Sequence, residues 1–99
     1  TTLVFHNINH RLSVEDICSV LDGGGYAGNY DYIFTPQSKK ARANAGVAYV
    51  NFTTADVAEH CMKHCRRTLN LGRAGAKLRC GPARVQGKEA NEAEQGEKL

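Results

Sequence analysis

Residues 44–52 read NAGVAYVNF, and the alternation of branched and aromatic side chains with smaller ones marks a β-strand. Successive side chains of a strand face opposite sides, so Ala48, Val50 and Phe52 form one surface and Val47, Tyr49 and Asn51 the other. The first set is expected to enter a core. The second leaves Tyr49 as a single ring on an open face.

Working outward, LVFHNI at 3–8 is an apolar run suited to a strand, ended by the polar NHR that follows. Ser13 is a good helix N-cap with Asp16 three residues on, and Val14, Ile17, Cys18 and Leu21 recur at helical spacing as one buried stripe. Asp22-Gly23-Gly24-Gly25 stops that helix, because glycine readily takes the left-handed turn. YDYIFT at 30–35 reads as a second strand ended by Pro36, and the basic QSKKARAN as a loop. After the strand at 46–52, Thr53 is the expected cap of a second helix, with Ala58, Cys61, Met62 and Cys65 as its stripe and Arg66 and Arg67 at its C-terminus. KLRCGPARV at 77–85 supplies a last strand, which Gly81 and Pro82 assign to an edge or a bulge. The order is β-α-β-β-α-β. It predicts an α+β, ferredoxin-like sandwich: a four-stranded antiparallel sheet with two helices on one face and the other face open.

The 99 residues suffice for one domain with a single core, expected over 1–88. Residues 89–99 are polar and acidic and are expected to be disordered. Residues 1–88 hold 12 Lys and Arg against 6 Asp and Glu, a net of +6, and residues 89–99 hold Lys98 against four Glu, a net of −3. Clusters at Lys39, Lys40 and Arg42 and at Lys63, Arg66 and Arg67 favour a polyanionic partner. No apolar run approaches the ~20 residues of a membrane helix, so no membrane partner is expected. The start TTLVF lacks the features of a signal peptide and suggests a domain of a longer protein. The four cysteines lack the density of a disulfide scaffold and are expected to be reduced.

AGVAYVNF at 45–52 resembles the eight-residue signature of the RNA recognition motif, K/R-G-F/Y-G/A-F-V-x-F/Y, and LVFHNI resembles its six-residue companion on the first strand. Three further stretches resemble the C-terminal RNA recognition motif of the Mei-two-like regulators of meiosis: TTLVFHNI, GNYDYIFTP at 28–36, and ARVQGKEA at 83–90. The resemblance covers roughly residues 1 to 90. It implies base stacking at the positions of Val4, Val47 and Tyr49, of which two are valine here, and Ala45 stands where a basic residue leads the signature. A base stacked on a ring gains ~1–3 kcal/mol, so the platform is depleted. His6, beside Tyr49, is a substitute stacking group. Tyr32 or Phe34 would be another: YDYIF allows either parity, so the two rings can face RNA or the core, and ring size favours the core. In that resemblance Pro82 stands in place of an aromatic residue, and Asn91, Glu92 and Gln95 replace apolar residues that would let a terminal helix pack back, so no such helix is expected to dock.

The pairs His60/Cys61 and His64/Cys65 contain metal-ligand types, but on a helix they spread over roughly 140° and cannot converge on one ion. No metal, cofactor or catalytic residue is expected. Gly23–Gly25 follows a helix and lacks the Lys-Ser or Lys-Thr of a phosphate loop. Cys18 lies on an apolar stripe where a thiol is inert.

The function expected is single-stranded RNA binding, weak and salt-sensitive, by a monomer in the nucleus, the cytoplasm or both. Tyr49, His6, Val4, Val47 and Asn51 would meet the bases. Lys39, Lys40, Arg42, Arg79, Arg84 and Lys88 would meet the phosphates. The rival expectation is a degenerate RNA recognition motif that binds a protein partner through the apolar patch at Val4 and Val47.

Overall fold

The computed structural model of the chain describes residues 1–36, 46–72, 75 and 77–95, of which 94 and 95 are described by backbone only. The expected strand and helix order is present. Strands β1 (Thr2–His6), β2 (Tyr30–Phe34), β3 (Val47–Phe52) and β4 (Arg79–Pro82) alternate with helices α1 (Val14–Leu21) and α2 (Ala55–Thr68), and a third helix, α3 (Lys88–Gln95), follows β4. The four strands form one antiparallel sheet in the order β2-β3-β1-β4.

Helix α1 starts where the sequence predicts. The Ser13 hydroxyl accepts from the Asp16 amide at 3.1 Å and the Asp16 carboxylate accepts from the Ser13 amide at 2.9 Å, a closed capping box. These two bonds hold the Asp16 carboxyl below its ordinary pKa. The helix runs into a wider turn over Asp22–Tyr26 and ends at Gly25, whose φ of 98° is costly for a residue with a Cβ. Gly24 lies against α2, where an added Cβ would sit 2.7 Å from a Leu69 methyl.

The helix-side core forms where the inward faces of β1 and β3 meet the stripes of α1 and α2. Leu3, Phe5, Ala48, Val50 and Phe52 are buried against Ile17, Leu21, Ala58, Cys61 and Cys65, as the alternation predicts. Tyr26 closes one end of it. Its ring meets Phe52 edge-on at 5.8 Å, and its hydroxyl shares a 2.9 Å hydrogen bond with His60 Nδ1. Burial, aided by the neighbouring Cys61, pushes this phenol up to about 12.

Several expected boundaries move. β1 stops at His6 rather than residue 8, because Asn7 takes a left-handed φ of 66°. Ile8 is nonetheless buried and bridges to Gly72. Thr54, not Thr53, caps α2, its hydroxyl accepting from the Val57 amide at 3.2 Å, since Thr53 is held by its amide and hydroxyl to the Asn29 carbonyl. Met62 is 37% exposed rather than part of the stripe, lying roughly 70° around α2 from the centre of Ala58, Cys61 and Cys65. β4 spans four residues rather than nine: the Lys77 and Leu78 carbonyls accept from Asn7 Nδ2 and Arg66 Nε, and Pro82 has no N–H. β4 is an edge strand, as Gly81 and Pro82 predict. Residues 88–95 are helical rather than disordered; 96–99 lie outside the described residues.

Folding keeps the Tyr26 hydroxyl protonated to about 12, whereas an unfolded tyrosine ionises near 10, so its contribution is present below pH ~10 and lost as pH rises to ~12. Urea unfolding at these two pH values should therefore show the natural chain losing roughly 2 kcal/mol more stability than Tyr26→Phe, because Tyr30 and Tyr32 ionise in both chains and cancel. Parallel losses would show that Tyr26 does not carry the effect.

Candidate nucleic-acid interface

Cross-strand partners in an antiparallel sheet share a face, so the register sorts the surface opposite α1 and α2 into three rows. The first is Tyr32, Asn51 and Thr2; the second is Phe34, Tyr49, Val4 and Gly81; the third is Val47, His6 and Arg79. In β3 and β1, Val47, Tyr49, Asn51, Val4 and His6 lie on this face as the alternation predicts.

β2 departs from the expected core placement of its two rings. Tyr30 pairs with Phe52 but Tyr32 with Asn51, so Asp31 is an extra residue in the ladder and the facing changes there. Tyr30 therefore packs against the helix-side core, its hydroxyl donating to the Asp22 carboxylate at 2.7 Å. Ile33 fills the core place, and Tyr32 and Phe34 are on the opposite face. Phe34 stacks on Tyr49 with centroids 6.2 Å apart and planes 22° apart. Both rings are half-buried. The face thus presents two rings. Ile33 is the available signal, since placing the aliphatic residue of YDYIF in the core sends its neighbours outward.

The first row is not open. α3 lies over it, contrary to the expectation that no terminal helix docks. Asn91 is 0% exposed, and its side-chain amide donates to the Gly87 carbonyl at 2.7 Å, the Val85 carbonyl at 3.1 Å and the Thr2 hydroxyl at 3.2 Å. The Gly87 amide reaches the same hydroxyl at 2.8 Å. A polar residue thus makes the contact expected of an apolar one. Beneath it Tyr32 is 1% exposed and donates to the Asn91 carbonyl at 3.4 Å. Burial, and then the Glu92 carboxylate, pushes the Tyr32 phenol up. Asn51 is also buried: its carbonyl accepts from the Thr1 and Thr2 hydroxyls at 2.8 and 2.7 Å, and its amide donates to Asp31 at 2.7 Å. The expectation that Asn51 meets a base gives way, because its polar groups are committed inside this row.

The other two rows are accessible. Val4 and Val47 are half-buried, and His6 and Arg79 are exposed as a cross-strand pair. Arg84 and Lys88 are exposed beyond β4, at the approach to α3 and in its first turn. Lys39, Lys40 and Arg42 lie outside the described residues, in the segment joining Pro36 to Gly46. Elsewhere, the His60 and His64 rings lie with centroids 4.5 Å apart and planes tilted by 45°, while Cys61 and Cys65 face the core. No described helix is long and apolar enough to cross a membrane.

The same architecture occurs in solved structures titled as RNA recognition motifs. The Rna15 motif, whose structure is described as having bound RNA (GU), superposes with a TM-score of 0.67 at 13% identity, over 94% of this chain and 93% of that one. The second motif of the yeast poly(U)-binding protein Pub1 gives 0.61 at 19% identity, over 87% and 98%. This chain has the RNA recognition motif fold. No family model matches it. In sequence, the chain is similar to the rice (Oryza sativa subsp. japonica) "Protein MEI2-like 7", 29% identical over 110 residues that span 91% of this chain and 28% of that protein. This motif therefore corresponds to a minor part of that relative's length.

Removing the Asn91 side-chain amide takes a donor from the Val85 carbonyl and the Thr2 hydroxyl, and leaves the Gly87 carbonyl to the Asn91 backbone N–H alone. Asn91→Ala should lower stability by about 1–3 kcal/mol and increase hydrogen exchange of the α3 amides and solvent exposure of Tyr32. An unchanged urea midpoint with unchanged exchange would show that Asn91 does not hold α3 to the sheet.

Proposed function

We propose that this chain is a single-stranded RNA-binding module that takes one or two bases on the uncovered rows of its sheet. The observation that carries this reading is the Phe34–Tyr49 ring pair, in line with Val4 and flanked by His6 and Arg79 on the face away from α1 and α2. Stacking on a ring is tolerant of base identity, because every base has a π-face. Tyr49 is the central platform, with Phe34 extending it toward β2. His6 stacks or hydrogen-bonds, and Val4 and Val47 give apolar contact without a π-face. Arg79, Arg84 and Lys88, with Lys39, Lys40 and Arg42, neutralise phosphates. The RNA-bound Rna15 motif and the poly(U)-binding Pub1 motif, which share this fold, support the choice of ligand.

Binding, not catalysis, is the proposed activity, and the module acts as a monomer. A nuclear or cytoplasmic location and a part in meiosis belong to the same proposal and rest on the likeness to Mei-two-like proteins alone. The apolar contacts of Val4 and Val47 also suit a protein partner, but such a partner leaves the cationic flank without a role.

Fluorescence anisotropy with a labelled single-stranded RNA tests the proposal. Tyr49→Ala should weaken binding by ~1–3 kcal/mol, and log K should fall with log salt at about 0.7 per phosphate contact. No binding near 50 mM salt, or a Tyr49→Ala chain that binds like the natural one, would overturn it.

A further inference from the structure

β4 is an edge strand, and α2 packs against it. Between them lies a cleft of about 260 Å³ lined by Met62, Lys63, Cys65, Arg66, Arg79 and Cys80. Its position relative to the sheet is informative. Arg79 lines this cleft and is also the cross-strand partner of His6, so the third row of the open face continues around the sheet edge into it.

The cleft is cationic. Arg66 is fixed over it by a 3.0 Å bond from its Nε to the Leu78 carbonyl, which leaves the two terminal nitrogens of the guanidinium for other acceptors. Lys63 stands one turn earlier, in an exposed 2.9 Å pair with Glu59, and such a pair is worth ~1 kcal/mol or less. The two cysteines add no anion. Burial pushes the Cys65 thiol up, and a hydrogen bond to Cys61 followed by burial pushes Cys80 up, so both are protonated at neutral pH. The space is several times the ~30 Å³ share of one liquid water, enough for a hydrated phosphate group.

Resting on the RNA-binding reading above, we propose that this α2–β4 cleft is a second phosphate subsite, which takes the backbone of nucleotides leaving the sheet over the β4 edge. A strand laid across β2, β3 and β1 meets His6 and Arg79 last, and among the described residues the cleft beyond that edge offers Arg66 and Lys63. The contact is to phosphate rather than base, so it adds affinity without sequence preference. It is available only to an RNA longer than the sheet itself accommodates.

Length dependence tests it. The natural chain, Lys63→Gln, Arg66→Gln and Glu59→Gln are titrated with oligouridine of about four and about ten nucleotides, at several salt concentrations. The longer RNA should bind the natural chain more tightly than the shorter. Lys63→Gln and Arg66→Gln should each weaken it up to about fivefold and flatten its salt slope by about 0.7, while leaving the shorter RNA unchanged. Glu59→Gln, which releases Lys63 from its exposed partner, should tighten the longer RNA alone. Because Lys63 and Glu59 are exposed, these two variants remain informative should Arg66→Gln loosen the β4 seam. Equal losses for both lengths, or no loss in Lys63→Gln together with no gain in Glu59→Gln, would overturn the subsite while the sheet reading stands. Failure of the shorter RNA to bind the natural chain would overturn the sheet reading and the subsite with it. An oligoglutamate that binds as tightly, with the same dependence on Lys63, would overturn the assignment to RNA.

Discussion

The pairing of β1 with β3 is the constraint on which the rest of the molecule depends. Leu3 opposite Val50 and Phe5 opposite Ala48 place large apolar groups against α1 and α2, where each fully buried one stabilises by ~1.5–3 kcal/mol. A slip of one residue would reverse one strand against the other, either driving Val4 and His6 of β1 into the core or driving Tyr49 of β3 there. The core therefore fixes the register, and the register in turn fixes the opposite surface. Val4 opposite Tyr49 and His6 opposite Val47 follow from the same pairing that buries Phe5. The presentation of the phenol on the open face is a consequence of core packing and needs no separate device.

This coupling explains which parts of the molecule were legible in the sequence. Strict alternation in LVFH and VAYVNF had one solution, since the apolar parity of each strand was unambiguous, and the inward and outward sets of β1 and β3 lie where that parity puts them. YDYIF had no such solution. Tyr30 and Tyr32 are two residues apart and would share a face in a regular strand, yet Asp31 bulges and they lie on opposite faces. The bulge is stabilised by a long-range bond, Asp31 accepting from the Asn51 amide on β3, which no local pattern announces. With it goes Phe34, the second ring of the interface, misplaced because ring size alone argued for the core.

The C-terminal helix was illegible for a different reason. KEANEAEQ carries no apolar stripe, and the usual test for docking asks for one. Its anchor is instead one amide with three acceptors, above a hydroxyl that also serves Gly87 and the Asn51 carbonyl. Asn91, Thr2 and Asn51 satisfy one another, so a polar residue can be wholly buried at low cost where each alone would be penalised. Such complementarity links residues 2, 51 and 91. It is visible only once three elements have been brought together. The helix also limits the interface, since Tyr32, a ring of suitable kind and facing, is sealed beneath it.

What remains uncovered sets the character of any binding. Phe34 holds Tyr49 in a stacked pair worth ~0.5–1.5 kcal/mol beyond its buried area, so a base meets a ring already fixed in orientation. Valine at positions 4 and 47 offers contact area but no face for stacking. One platform supplying ~1–3 kcal/mol per base falls well short of the −8.2 kcal/mol that corresponds to a micromolar complex. In the proposed mode, affinity beyond stacking would come from charge, and the placement of charge is uneven. The sealed row carries no basic side chain, whereas the third row ends on Arg79 at the β4 edge, within reach of Arg66 and Lys63. The ring pair and Arg79 thus both lie on the rows that α3 leaves uncovered, and a strand bound as proposed would run along those rows toward the β4 edge, not beneath the helix.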